Sequence, residues 1–187
     1  MSEKLMLDWR AKPSLVTPSY AMVKASAVPV EEVRVDMADM KVERRPVSLV
    51  TNVGSCIALC MHDSLNLCGG MAHIMLPNSN NPKNEALPYK YADTAVPALI
   101  EALRKVGGGK VQLSAKIAGG ANMFSNLKCQ LLNIGDRNTQ AVKEALRAHG
   151  IPLKAEDVGS NYGRRVSFNV VTGVMTVKNI NGVEKVL

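Results

Sequence analysis

The stretch from Val47 to Leu76, VSLVTNVGSC, IALCMHD, SLNL, CGGMAHIML, constrains the fold most, because it is apolar almost throughout and broken only by a short polar turn. Two apolar segments around a polar turn predict a β-hairpin. With the tip at Ser64 and Leu65, Asp63 faces Asn66 and Cys56 faces His73. Directly opposed side chains stand about 4.5–5.5 Å apart at Cβ, so this register makes the thiol and the imidazole neighbours. A bulge at Gly69 and Gly70 would shift it by one residue.

Around this hairpin the chain reads as one domain. Residues 1–19, with Pro13, Pro18 and no periodicity, predict a loose N-terminal arm, and residues 20–187 a single folded unit. Tyr20–Val23 predicts a first short strand. Glu32–Met37, with Val33, Val35 and Met37 alternating, predicts a half-buried one. Pro77–Pro88 is too polar and too rich in Pro and Asn for a strand and reads as an exposed loop. A helix follows, with Asp93 as N-cap, Pro97 in its first turn and a stripe of Val96, Leu99, Ile100 and Leu103, ending at Gly107–Gly109. Val111–Ala118 predicts a strand, and Asp136–His149 a second helix burying Val142, Ala145 and Leu146. Strands return at Ile151–Ala155, Arg164–Val170 and Val174–Ile180. The expected class is α/β of the α+β kind, a layered mixed-sheet sandwich with two main helices.

Hydrophobic residues at 47% exclude intrinsic disorder, and 187 residues can bury a sizeable core. The net charge of +7 raises a nucleic-acid reading. From residue 111 onward ten basic side chains face five acidic ones, but they are scattered, and polyanion binding needs clustered Lys and Arg. With aromatics at 4%, base-stacking platforms are equally unsupported, so no nucleic-acid partner is expected. An acidic protein partner suits the excess charge better. No run approaches the roughly 20 apolar residues of a membrane span, and MSEKLMLDWRAK lacks the apolar stretch of a signal peptide. A cytoplasmic protein with free thiols, without membrane insertion, is expected.

The residues that could do chemistry are Thr51, Ser55 and Cys56 on one arm of the hairpin and His73 on the other. An imidazole beside a thiol can take its proton or hold its thiolate, then protonate a leaving group. Gly54 would let the backbone turn so that peptide N–H groups at Ser55 and Cys56 meet a developing oxyanion. Thr51 could orient the second imidazole nitrogen. The plainer alternative is a packing cysteine and a core histidine bonded to a carbonyl. Cys60, Cys68 and Cys129 read as packing thiols, and His62 and His149 as surface groups. No metal-ligand spacing and no phosphate loop is present, so neither metal nor cofactor is expected.

The segments VGSCIALCMHD, GGMAHIMLP, KYADTAVPALIEALRKVGG, AKIAGGANM, IGDRNTQAVKEAL, IPLKAEDVGSNYGRRVSF and TGVMTVK, in that order, resemble the CheD family of chemoreceptor glutamine deamidases over about Tyr20 to Ile180. The resemblance implies a layered fold similar to the catalytic domain of cytotoxic necrotizing factor toxins. It implies Cys56 as nucleophile, His73 as base and Thr51 as the third residue. Ala118 departs from the aromatic usual before the Gly pair. The implied reaction is hydrolysis of glutamine side-chain amides on the cytoplasmic helical domain of chemoreceptors, with water the only co-substrate. Some members also hydrolyse receptor glutamyl methyl esters. The alternative the resemblance implies is a mainly non-catalytic regulatory partner of a CheC-type phosphatase.

Overall fold

The computed structural model describes residues 30–79, 87–122 and 133–187. In chain order these form β1 (Glu32–Arg34), β2 (Met40–Glu43), β3 (Ser48–Val53), β4 (Ile57–Asp63), β5 (Cys68–Ile74), α1 (Ala92–Val106), β6 (Leu113–Gly119), α2 (Ile134–Ala148), β7 (Leu153–Val158), β8 (Arg164–Asn169), β9 (Met175–Asn179) and β10 (Glu184–Val186). One sheet has the order β1-β3-β8-β9-β10 and the other β2-β5-β4-β6-β7. Each mixes parallel and antiparallel pairs, with β1 parallel to β3 and β6 parallel to β7. The α+β, mixed-sheet expectation agrees with this architecture. The N-terminal arm, the Tyr20–Val23 strand, Cys129 and most of the Pro77–Pro88 loop lie outside the described residues.

Three layers follow from how the strands alternate. Leu49, Val53, Val166, Phe168, Met175 and Val177 of the first sheet meet Ala58, Cys60, Met71 and Ala118 of the second in one apolar layer. On the far side of the second sheet, Ile57, Leu59, Met61, Ala72, Ile74 and Ile117 pack against the stripes of the two helices. The second sheet is therefore covered on both faces. That is why β4 and β5 read as nearly continuous apolar runs. Adjacent glycines let both neighbours press onto β5: a Cβ at Gly69 would stand 2.8 Å from Phe168, and one at Gly70 2.7 Å from Leu99.

Several expectations need correction. The hairpin of β4 and β5 pairs Asp63 with Cys68, Leu59 with Ala72 and Ala58 with His73, so Cys56 does not face His73. The cause is a wider turn over Ser64–Leu67. It is held by the Asp63 carboxylate, which accepts from the N–H groups of Leu65 and Gln112, each at 3.0 Å. Neither Gly69 nor Gly70 forms a bulge in that pairing. The expected first arm, Val47–Asp63, is two strands in different sheets, because the chain leaves the first sheet after Val53 and enters the second at Ile57.

In α1 the N-cap is Tyr91, and Asp93 lies in the first turn, where its carboxylate accepts from the Ser79 N–H at 2.9 Å. Pro97 sits two residues deeper than expected, inside the helix, where it cannot donate to the Asp93 carbonyl. The Glu32–Met37 strand ends at Arg34. Beyond it a turn through Ala38, at φ 56°, carries the chain to the second sheet. His62 is half-buried rather than a surface group, with Nε2 3.0 Å from the Val171 carbonyl. No described helix is long and apolar enough to cross a membrane.

Candidate active site

Two passages of the chain between the sheets border the candidate site. The first runs from β1 through residues 36–39 to β2, and the backbone of His73 holds it on both sides: Ala38 N–H donates to the His73 carbonyl at 3.1 Å, and His73 N–H donates to the Asp39 carbonyl at 3.0 Å. The second is Gly54–Cys56, between β3 and β4. His73 shares a strand face with Met71 and points into the inter-sheet layer, 3% exposed. Thr51, on the inner face of β3 between Leu49 and Val53, reaches it from the opposite sheet. Its Oγ1 is 2.9 Å from His73 Nδ1.

Thr51 Oγ1 also donates to the Val35 carbonyl at 2.8 Å. Its single proton is thereby used, so toward His73 the hydroxyl acts as acceptor and Nδ1 carries the ring proton. That leaves the Nε2 lone pair as the basic position of a neutral ring. The structure thus unites Thr51 with His73, and it places Cys56 on the same inter-sheet layer, half-buried at the start of β4. Ala58 and His73 are opposed, and Cys56 lies two residues before Ala58, in the bend that leads into β4, packed against the same layer.

The turn carrying Cys56 is anchored through its carbonyls. Gly54 accepts from Ala121 N–H at 2.8 Å, Cys56 from Gly120 N–H at 2.9 Å, and Ser55 from Asn138 Nδ2 at 2.9 Å. Among the described residues no carbonyl accepts from the N–H of Ser55 or Cys56. The Ser55 donor is open to an oxyanion, while the Cys56 N–H lies against its own thiol, where it favours the thiolate. Gly54 turns without a positive φ, and the left-handed backbone lies across from it, at Gly119 (φ 119°) and Gly120 (φ 65°). A Cβ at Gly119 would collide with the Cys56 carbonyl, and one at Gly120 with Thr139 Oγ1. The glycine pair is what allows the end of β6 to lie against the thiol's turn.

Asn138 is the residue that sequence reasoning missed. Fully buried, it donates from Nδ2 to the carbonyls of both Ser55 and Met75, tying the start of β4 to the end of β5. The signal for it was available. Counting back four residues at a time along the stripe Leu146, Val142 reaches Asn138, a polar side chain on the buried face of α2.

Burial pushes the Cys56 thiol up from its ordinary value of 9.0 and the His73 imidazole down from 6.5, with the Asp36 charge opposing the latter. Both shifts favour neutral forms, so the resting pair is thiol and imidazole rather than thiolate and imidazolium. A cleft of about 450 Å³, lined by Val35, Asp36, Met37, Thr51, Asn52 and His73, opens over the ring. If His73 must be neutral to accept a proton and the Cys56 proton must reach the leaving group, both limbs of the pH profile move outward. The acid limb of kcat/KM is expected below pH 6.5 and the alkaline limb above pH 9.0, measured as initial rates across pH 5 to 10. An acid limb at or above 6.5 would contradict the neutral pair.

No group of His, Cys, Asp and Glu suited to hold a metal occurs among the described residues. Cys60 and Cys68 are buried, as packing thiols should be.

Residues 75–179 match the family model described as CheD chemotactic sensory transduction. The chain belongs to the CheD family. It is 42% identical over 152 residues to the Clostridium novyi (strain NT) protein called probable chemoreceptor glutamine deamidase CheD, covering 80% of this chain and 94% of the relative. A relative of the same name from Clostridium botulinum (strain Hall) is 42% identical over 153 residues, covering 81% and 94%. The CheD segments quoted above from both sides of the molecule, GSC, GGMAHI, AGGAN and IGDRN, hold Cys56, His73, the Gly119–Gly120 pair and Asn138. The glycine pair and Asn138 meet at the turn that carries Cys56.

Proposed function

We propose that this CheD protein is a chemoreceptor glutamine deamidase, hydrolysing glutamine side-chain amides on the cytoplasmic helical domain of chemoreceptors to glutamate by a Cys–His thioester route. The observation that supports this reading is the Thr51–His73 hydrogen bond between the two sheets, which leaves Nε2 as the unprotonated ring nitrogen in the layer against which Cys56 packs.

In the first half-reaction the Cys56 proton passes to His73 Nε2 as Sγ bonds to the carboxamide carbon. The N–H group of Ser55 receives the oxyanion. Collapse breaks the C–N bond, and the same proton leaves with ammonia. In the second, His73 takes a proton from water, the hydroxide attacks the thioester carbonyl, and Cys56 departs and regains its proton. The sum is glutamine plus water giving glutamate plus ammonia, and it needs no cofactor.

Incubating the chain with a purified chemoreceptor cytoplasmic domain should release ammonia and raise the mass of particular peptides by about one unit per glutamine converted. Ammonia and peptide mass, read together over time, check it. A receptor whose peptide masses never change would overturn the proposal and leave the regulatory-partner alternative standing.

A further inference from the structure

A second cavity, of about 420 Å³, lies at the end of the first sheet, with Asn52, Gly54, Arg164, Arg165, Lys178 and Ile180 among its walls. It adjoins the cleft over His73, since Asn52 lines both. Strand register fixes its chemistry: Asn52 pairs with Arg165, and Arg165 with Lys178. Two cations are thus held directly opposite each other, an arrangement that costs stability unless an anion joins them.

The surrounding carboxylates neutralise them only in part. Arg165 meets Glu32 at 2.7 Å at the surface. Lys178 stands opposite Glu184 in register but enters no ion pair among the described residues. Beneath them the buried Arg164 side chain reaches Asp157 at 3.2 Å through Nε and the Tyr162 carbonyl at 3.2 Å through Nη1, while Nη2 has no partner. Asp157 is shared with Lys185 at 3.0 Å, so one carboxylate serves two cations. Ile180, 77% exposed, adds an apolar wall suited to methylene groups.

We infer that this cavity is a carboxylate subsite, which takes an acidic side chain of the protein substrate about one helical turn from the glutamine being converted. The inference rests on the deamidase reading of the neighbouring site. Gly54 and Cys56 are two residues apart, roughly 7 Å of chain at most. Side chains three or four positions apart on a helix are separated by about 5–6 Å, so one residue can enter the cavity while the other meets the thiol. Lys178 and Arg165 would set specificity, and neither touches the reacting atoms.

The test compares helical glutamine peptides with Glu or Gln four positions away. Wild type should favour the Glu peptide about tenfold in kcat/KM, and Lys178→Gln should reduce that ratio to about twofold, as expected for loss of one charged contact. Lys178→Glu should reverse the preference toward a Lys-bearing peptide. A second readout needs no deamidation: on a Cys56→Ala background the Glu peptide should bind severalfold more tightly than the Gln peptide, and Lys178→Gln should remove most of that difference. A Glu preference in kcat/KM or in binding that survives Lys178→Gln overturns the subsite. If no peptide is deamidated but the binding preference is present and is lost in Lys178→Gln, the anion site is supported and the deamidase reading fails.

Discussion

On the proposed thioester route, Cys56→Ala should lower ammonia release from receptor by at least about 10³-fold, to the background of uncatalysed hydrolysis, because the other described thiols, Cys60 and Cys68, are buried. Cys60→Ala is the matched control. Cys60 also lies in the inter-sheet layer, but it is 1% exposed, and burial drives its thiol far above the ordinary range. Its removal should cost some stability and leave turnover in place. Cys56 is half-buried, beside a turn whose N–H groups are free of carbonyl partners among the described residues. Rates measured by coupled ammonia detection at matched concentration of folded protein decide the matter. More than a tenth of wild-type activity in Cys56→Ala would remove the thiol from the mechanism.

The second large effect concerns Asn138. Asn138→Leu keeps the approximate shape of the side chain but strips the donor from two carbonyls, those of Ser55 and Met75. Each buried acceptor left unpaired costs about 1–3 kcal/mol. Some of that is offset because the Asn138 Oδ1 atom, itself buried without a partner, disappears as well. A net loss of about 2–4 kcal/mol is expected in denaturant unfolding. Turnover should also fall in the fraction that remains folded, because Ser55 precedes the thiol directly. The alternative, a purely structural role, predicts lost stability with unchanged kcat per folded molecule.

Much of the site was legible because its residue types are chemically distinctive. Cys56, His73 and Thr51 stand out in the Val47–Leu76 stretch, and the structure bonds Thr51 to His73. The register was not legible, since it depends on how Asp63 gathers N–H groups from as far away as Gln112. Nor could local pattern show that β3 and β4 belong to different sheets. An apolar run looks the same before and after a bend, and β3 is committed to its sheet by pairing with β8, more than a hundred residues later. The helices were largely legible from their stripes, whereas the first N-cap was misread because Asp93 serves the Ser79 N–H from inside the helix. Asn138 hid for the opposite reason: its position was periodic, but its residue type suggested solvent.

The bond between Thr51 and His73 crosses the apolar layer between the two sheets, and this makes it a gauge of their alignment. Dispersion and burial tolerate a small glide of one layer over the other, but a hydrogen bond of 2.9 Å is largely lost once its partners part by well under one ångström more. Tautomer control of the imidazole is therefore lost before the core is. Weakening the interlayer packing, for example where Phe168 seats against Gly69, should disarm the base while the protein still passes every test of being folded.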